Sequence, residues 1–208
     1  MDVVTEAARA WAARQGVIVA AEWFQPDTGI AAARAAGRRA ATRALAACGG
    51  PPLASHRLRD GRPPWPTGFT GSISHAGGVA YAVVAPTNRM RSVGVDVEVR
   101  RRLPLADAGP VLGDAELAWA LASGDPDDAA TNLWSTKEAA FKAWNEVADS
   151  ALTALDPRRD MRVELNGEGD GARVRVTPLA DLAAVARVID GRLWRSAERV
   201  LVIVVLPA

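Results

Sequence analysis

Apolar and polar positions alternate most cleanly over Ser92–Val99, where Val93, Val95, Val97 and Val99 hold one parity and Gly94, Asp96 and Glu98 the other. That period of two marks a strand with one buried face. Similar short runs predict strands at Gly16–Trp23, Gly71–Ser74, Val79–Ala85, Met161–Asn166, Ala172–Thr177 and Arg199–Leu206, with turns at Gly77-Gly78 and Pro86–Asn88. Two segments switch to a helical period. One is rich in Ala and Arg, is capped by Asp27 or Thr28, and stops near Cys48 at Gly49, Gly50, Pro51 and Pro52. The other has Asp125 as its cap and Pro126 in first position, and runs to about Asp149. A helix or strand is expected around Asp181–Asp190, and residues 59–68, dense in Gly and Pro around Trp65, read as a loop. The arginine-proline stretch Arg100–Pro104 breaks the pattern and suggests a boundary between residues 1–100 and 101–208. Each half then contributes helix plus sheet, an α/β (α+β) arrangement.

Composition narrows the function classes. Almost half the residues are apolar and about a quarter charged, as in a soluble globular protein. A formal net charge of +1, with no basic stripe interleaved with aromatics, argues against nucleic acid as partner. Cys48 is the single cysteine, so no intrachain disulfide forms and a reducing, cytoplasmic setting is expected. The first residues lack the basic-then-apolar order of a secretory signal, and the aliphatic run Val200–Leu206 is too short to span a bilayer. Of 25 basic side chains only Lys137 and Lys142 are lysine, and they fall within six residues of each other. A compact ammonium on a flexible stem differs usefully from a planar guanidinium, which draws attention to that segment.

Three segments carry chemistry. In the Ser92–Val99 strand Asp96 and Glu98 share a face about 6–7 Å apart. Two carboxylates that close repel unless a cation lies between them, and hard oxygen ligands at this spacing suit Mg2+ shared with a phosphate; the alternative is the solvated face of an edge strand. In the helix Leu133-Trp-Ser-Thr-Lys-Glu-Ala-Ala-Phe-Lys-Ala-Trp144, the apolar face gathers Leu133, Ala140, Phe141 and Trp144 with Lys137 among them. Glu138 and Lys142 lie four apart on a flanking stripe, which an ordinary surface ion pair would also explain. A lysine on a core face, however, needs an anion or an escape to solvent. The turn Gly71-Ser-Ile-Ser-His75-Ala-Gly-Gly78 places an imidazole where backbone N–H groups can approach a phosphate, or else a structural histidine. His56, in a polar loop, reads as surface.

Taken in order, Ser74-His75, Val93-Gly-Val-Asp-Val-Glu98 and Trp134-Ser-Thr-Lys-Glu-Ala-Ala-Phe-Lys142 resemble the signatures of the 4′-phosphopantetheinyl transferases of the surfactin type. The Gly61-Arg-Pro-Pro-Trp-Pro66 loop and the helix bearing Arg38 are similar to that family's upstream blocks, closest to its siderophore-associated and actinobacterial members, so the likeness spans about residues 30–150. The resemblance implies two pseudosymmetric halves with coenzyme A between them. It implies that Asp96, Glu98 and Glu138 hold Mg2+ and that Lys137 and Lys142 neutralise the phosphates. Ser74 and His75 would bind a phosphate of the coenzyme, with Arg38 and Arg62 at its nucleotide end; Arg39, Arg43 and Arg59 are near enough to compete for that role. Glu138 is the expected base, with Glu116 as an alternative. The implied partners are apo acyl or peptidyl carrier proteins, which Arg100–Arg102 would help to dock, and a monomer is expected. Two other classes stay open: a coenzyme A-binding regulatory module without catalysis, and a metal-dependent phosphodiesterase built on the D-x-E strand.

Overall fold

The computed structural model describes residues 3–56, 58, 61–147, 156, 160–167, 171–179 and 186–208. Among the described residues four α-helices, α1 (Val3–Gln15), α2 (Gly29–Ala47), α3 (Asp114–Leu121) and α4 (Pro126–Val147), accompany eight strands. These are β1 (Ile18–Trp23), β2 (Phe69–Ala76), β3 (Val79–Pro86), β4 (Met90–Val99), β5 (Met161–Asn166), β6 (Ala172–Pro178), β7 (Ile189–Arg195) and β8 (Arg199–Pro207). They form two antiparallel sheets, β1-β3-β2 and β4-β8-β7-β6-β5. The expected mixed α/β architecture is therefore present. β4 is laddered to β8 with Asp96 opposite Val202 and Glu98 opposite Val200. The last strand of residues 1–100 thus pairs with the last strand of the chain, tying the two sequence halves into one structure.

Each sheet has its own helix, and the reason lies in which side chains are small. Ala40, Ala41, Ala44 and Leu45 of α2 pack on Ala82 and Val84 of β3. Gly37 lets this helix lie close: a Cβ there would stand 2.6 Å from Ile73 Cγ2. On the larger sheet, Leu133, Ala140, Ala143 and Trp144 of α4 pack on Val200, Val202 and Val204 of β8. A third cluster joins the sheets, with Val93, Val95 and Val97 of β4 meeting Tyr81 and Val83 of β3, Leu201 and Ile203 of β8, and Ala8 and Ala12 of α1. At roughly 25 cal/mol per Å2 of apolar surface removed from water, these three contacts are what hold the strands in register.

Several elements differ from the sequence expectation. Helices α1 and α3 were not anticipated, and β7 occupies Ile189–Arg195, where a helix or strand had been placed only as far as Asp190. The end of the long helix at Asp149 and residues 181–185 of the stretch from Asp181 lie outside the described residues, as does Arg59. Among the described residues, no helix is long and apolar enough to cross a membrane.

Candidate functional site

Burial of Val93, Val95 and Val97 on one face of β4 turns Gly94, Asp96 and Glu98 toward α4. Contact is intimate at Gly94, where a Cβ would lie 2.0 Å from the carbonyl oxygen of Ala139. The absent side chain is what allows α4 to cross β4 so closely, and the crossing brings two motifs distant in sequence into hydrogen-bond range.

Asp96, only 3% exposed, is the centre of that junction. Ser135 Oγ on α4 donates to its Oδ2 at 2.8 Å, and Ser74 Oγ on β2 donates to Oδ1 at 2.8 Å. Lys142 Nζ donates to Oδ1 at 2.6 Å, to Ser74 Oγ at 3.1 Å and to the Val95 carbonyl at 3.3 Å. Three elements are thus cross-linked through one carboxylate. Charge-assisted bonds to a desolvated anion are about twice as strong as neutral ones, so the arrangement is well determined.

The neighbouring carboxylates are frustrated. Burial, followed by the charges of Asp96 and then Glu138, pushes Glu98 up to about 7 against the opposing pull of Lys142 and Arg102. Glu138 is likewise raised, first by burial and then by Asp96, while Lys142 counteracts. Among the described residues no three His, Cys, Asp or Glu side chains converge as a ready-made metal set. The donors nevertheless fit a hard divalent cation in kind: they are all carboxylate oxygens, and the local negative charge exceeds what Lys142 offsets.

Beside this junction a cleft opens between α2, the loop after it, β2 and the C-terminal part of α4. Its walls carry Arg34, Arg38, His56, Arg62, His75 and Lys142. Four of these six are fixed cations against one lining carboxylate, Glu146, a local excess of positive charge in a chain of formal charge +1. The structure therefore brings together Arg38, Arg62, Ser74, His75, Asp96 and Lys142 as the sequence motifs suggested, with Glu98 and Glu138 coupled to Asp96. His56, read as surface, is exposed and also borders the cleft, because the loop beyond α2 is anchored by the buried Leu53 and turns back over β2. Arg34, unnoticed in the sequence, lies one helical turn before Arg38 on the same wall.

Several of the charged residues are also held by ion pairs. Arg39 and Arg43 pair with Glu22 of β1 at 3.2 and 2.5 Å, and the three border a second, shallower concavity that Arg38 also reaches. Arg62 Nη1 donates to the Asn145 carbonyl at 2.7 Å and lies 3.5 Å from Glu146, strapping the loop to α4. Arg100 pairs with Asp128 at 2.7 Å and Arg101 with Asp125 at 2.6 Å, so both fasten the chain after β4 to the first turn of α4. Lys137 does not join the Asp96 group. It is 1% exposed and meets Glu116 at 2.6 Å, and burial lowers its pKa although the pairing opposes this.

Comparison with known proteins gives two family matches. Residues 32–85 match the 4′-phosphopantetheinyl transferase N-terminal domain, and residues 92–187 match the 4′-phosphopantetheinyl transferase superfamily. Among individual proteins, the 4′-phosphopantetheinyl transferase Npt of Nocardia iowensis is 36% identical over 107 residues, covering 51% of this chain and 48% of the relative. Svp of Streptomyces mobaraensis, also a 4′-phosphopantetheinyl transferase, is 36% identical over 129 residues, with coverage of 58% and 52%. PptT of Mycobacterium tuberculosis, of the same name class, is 34% identical over 110 residues, with coverage of 51% and 48%. The chain spans about half the length of the curated relatives it matches.

Proposed function

The chain belongs to the 4′-phosphopantetheinyl transferase superfamily, with relatives of the actinobacterial type, and from that premise we propose that it moves the phosphopantetheine arm of coenzyme A onto a serine of an apo acyl or peptidyl carrier protein. This is the reaction of a holo-[acyl-carrier-protein] synthase. The observation that carries the proposal is the junction at Asp96, where Ser74, Ser135 and Lys142 converge at the edge of a cleft walled by arginines and histidines. A neutral chain that concentrates cations on one concave wall beside a carboxylate cluster is suited to a polyanionic ligand whose reaction develops more charge.

In this reading residues 1–100 supply Arg38, Arg62 and His75 for the nucleotide end of coenzyme A, and residues 101–208 supply Glu138 and Lys142 for the reacting end. Asp96, Glu98 and Glu138 would hold Mg2+, which when bound neutralises charge on the pyrophosphate. Lys142 leads from Asp96 into the cleft and compensates a phosphate oxygen. The carrier serine Oγ attacks the β-phosphorus, forming a new P–O bond as the bond to the bridging oxygen breaks and 3′,5′-ADP departs. The serine proton passes to Glu138, directly or through water. Glu116, fully engaged with Lys137 and two backbone N–H groups, is no longer proposed as a base.

Intact-mass spectrometry of an apo carrier protein incubated with this protein, coenzyme A and Mg2+ tests the proposal. A gain of one phosphopantetheine, abolished by EDTA, is expected. No gain on acyl and peptidyl carriers alike would overturn it.

A further inference from the structure

Lys137 is the only lysine or arginine among the described residues that is fully buried. Its Nζ meets Glu116 Oε2 at 2.6 Å and donates to the Val111 carbonyl at 3.0 Å. Glu116 in turn accepts from the Gly113 N–H at Oε2 and from the Val163 N–H at Oε1, both at 2.9 Å. One ion pair thereby ties α4 to the segment before α3, to α3 itself and to β5. An isolated ammonium or carboxylate at this depth would be strongly penalised, so each charge is held in place by the other.

The consequence concerns the next residue along. Lys137 precedes Glu138, and on the same helix Ser135 and Lys142 reach Asp96 from another side. Rolling α4 by about 10° would carry a group about 6 Å from the helix axis through about 1 Å. Displacement on that scale can lower a rate by about a hundredfold. Tight apolar packing by Leu133, Ala140 and Trp144 restrains the helix axis, whereas the directional Lys137–Glu116 bond restrains its roll.

We propose that the Lys137–Glu116 pair is a positioning device that sets the roll of α4 and with it the place of Glu138 beside the Asp96 junction, the flexible stem of Lys142 taking up the change on its own side, and that Lys137 makes no contact with coenzyme A phosphates. The inference rests on the transferase reading above. Its test compares Lys137→Met and Glu116→Gln with the wild type by three readouts: coenzyme A titration calorimetry in EDTA, Mg2+ titration calorimetry, and steady-state transfer. For Lys137→Met, coenzyme A affinity without metal and KM for coenzyme A stay within about twofold. Mg2+ affinity weakens at least fivefold and kcat falls by tenfold or more. Glu116→Gln, which keeps the shape of its side chain, shows the same split to a smaller degree and serves if Lys137→Met does not fold. Lys137→Arg, which keeps the charge, recovers part of kcat. A tenfold or greater loss of metal-free coenzyme A affinity in Lys137→Met, or in Glu116→Gln if the former does not fold, would overturn the proposal by making the pair part of the ligand site. Unchanged Mg2+ affinity and kcat in the folded variants would overturn it equally. If the wild type itself transfers nothing, the transferase reading fails, while the two calorimetric arms still decide the positioning claim.

Discussion

The contact most sensitive to a single added carbon is Gly94 against α4. In Gly94→Ala the new Cβ would stand 2.0 Å from the Ala139 carbonyl oxygen and 3.0 Å from Val204 Cγ2. Ordinary contact begins near 3.4 Å, so helix and strand must separate by roughly 1.4 Å, and the obstructing atom is backbone that cannot rotate away. Overpacking of this kind costs about 1–3 kcal/mol. For a chain of about 200 residues that corresponds to a fall in Tm of about 2–12 °C. The functional loss should be larger in proportion. Lys142 and Ser135 now reach Asp96 at 2.6 and 2.8 Å, and a shift of that size breaks both bonds. Misplacing the reacting groups by about 1 Å then lowers kcat by about a hundredfold. Gly109→Ala is the control, since nothing lies within 4 Å of its Cβ and its φ is ordinary; it should leave both quantities unchanged. Thermal unfolding and carrier-modification kinetics on the two variants provide the assay. A Gly94→Ala protein with wild-type Tm and kcat would refute the close crossing, and with it the derivation of the site.

The other predictions concern the carboxylates and the cleft. Asp96→Ala removes the acceptor shared by Ser74, Ser135 and Lys142, and transfer should be undetectable by mass spectrometry at any Mg2+ concentration; recovery at saturating Mg2+ would remove Asp96 from the metal set. Lys142→Ala loses a charge-assisted contact worth about 1.5–3 kcal/mol, so coenzyme A affinity should weaken by tenfold or more in calorimetry, and an unchanged value would exclude it from the site. Glu98 is pushed up to about 7 in the metal-free protein, and Mg2+ binds the ionised form. Affinity for Mg2+ should therefore rise about tenfold from pH 6 to pH 8, with proton release on binding; a flat profile would contradict the crowding of charge around Glu98.

How far the structure could be read in advance depended on whether side chains or partners set the local pattern. The β4 strand was legible because Val93, Val95 and Val97 face one core, and α4 because its capping and apolar stripe agree. β7 was obscured by Gly191, which interrupts the alternation of Ile189 and Leu193. A Cβ there would lie 2.3 Å from the Ile203 carbonyl, so neighbouring backbone imposes a residue that carries no periodic signal. α1 escaped notice because its buried face is built from alanines such as Ala8 and Ala12, which contrast little with their surroundings. The place of His56 depends on how the loop beyond α2 returns across β2, and the composition of that loop contains no information about its path.

The two lysines show where elementary geometry was sufficient and the family pattern was not. Positions 137 and 142 are five apart, about 500° around the helix, so their side chains diverge by about 140°. Glu138 and Lys142 differ by about 40°, and Ser135 and Lys142 by about 20°, which puts those three on one stripe. A single ligand approaching that stripe meets Lys142 and Glu138 and leaves Lys137 on the far flank with Leu133 and Ala140. The ion pair with Glu116 is the physical answer to a cation stranded in that position. Grouping both lysines at the phosphates followed the motif, whereas winding the helix assigns one to the ligand and the other to the core. The same winding requires that a substitution at 142 act on coenzyme A binding and one at 137 on the placement of its neighbours, a distinction that chemical similarity between the two side chains would hide.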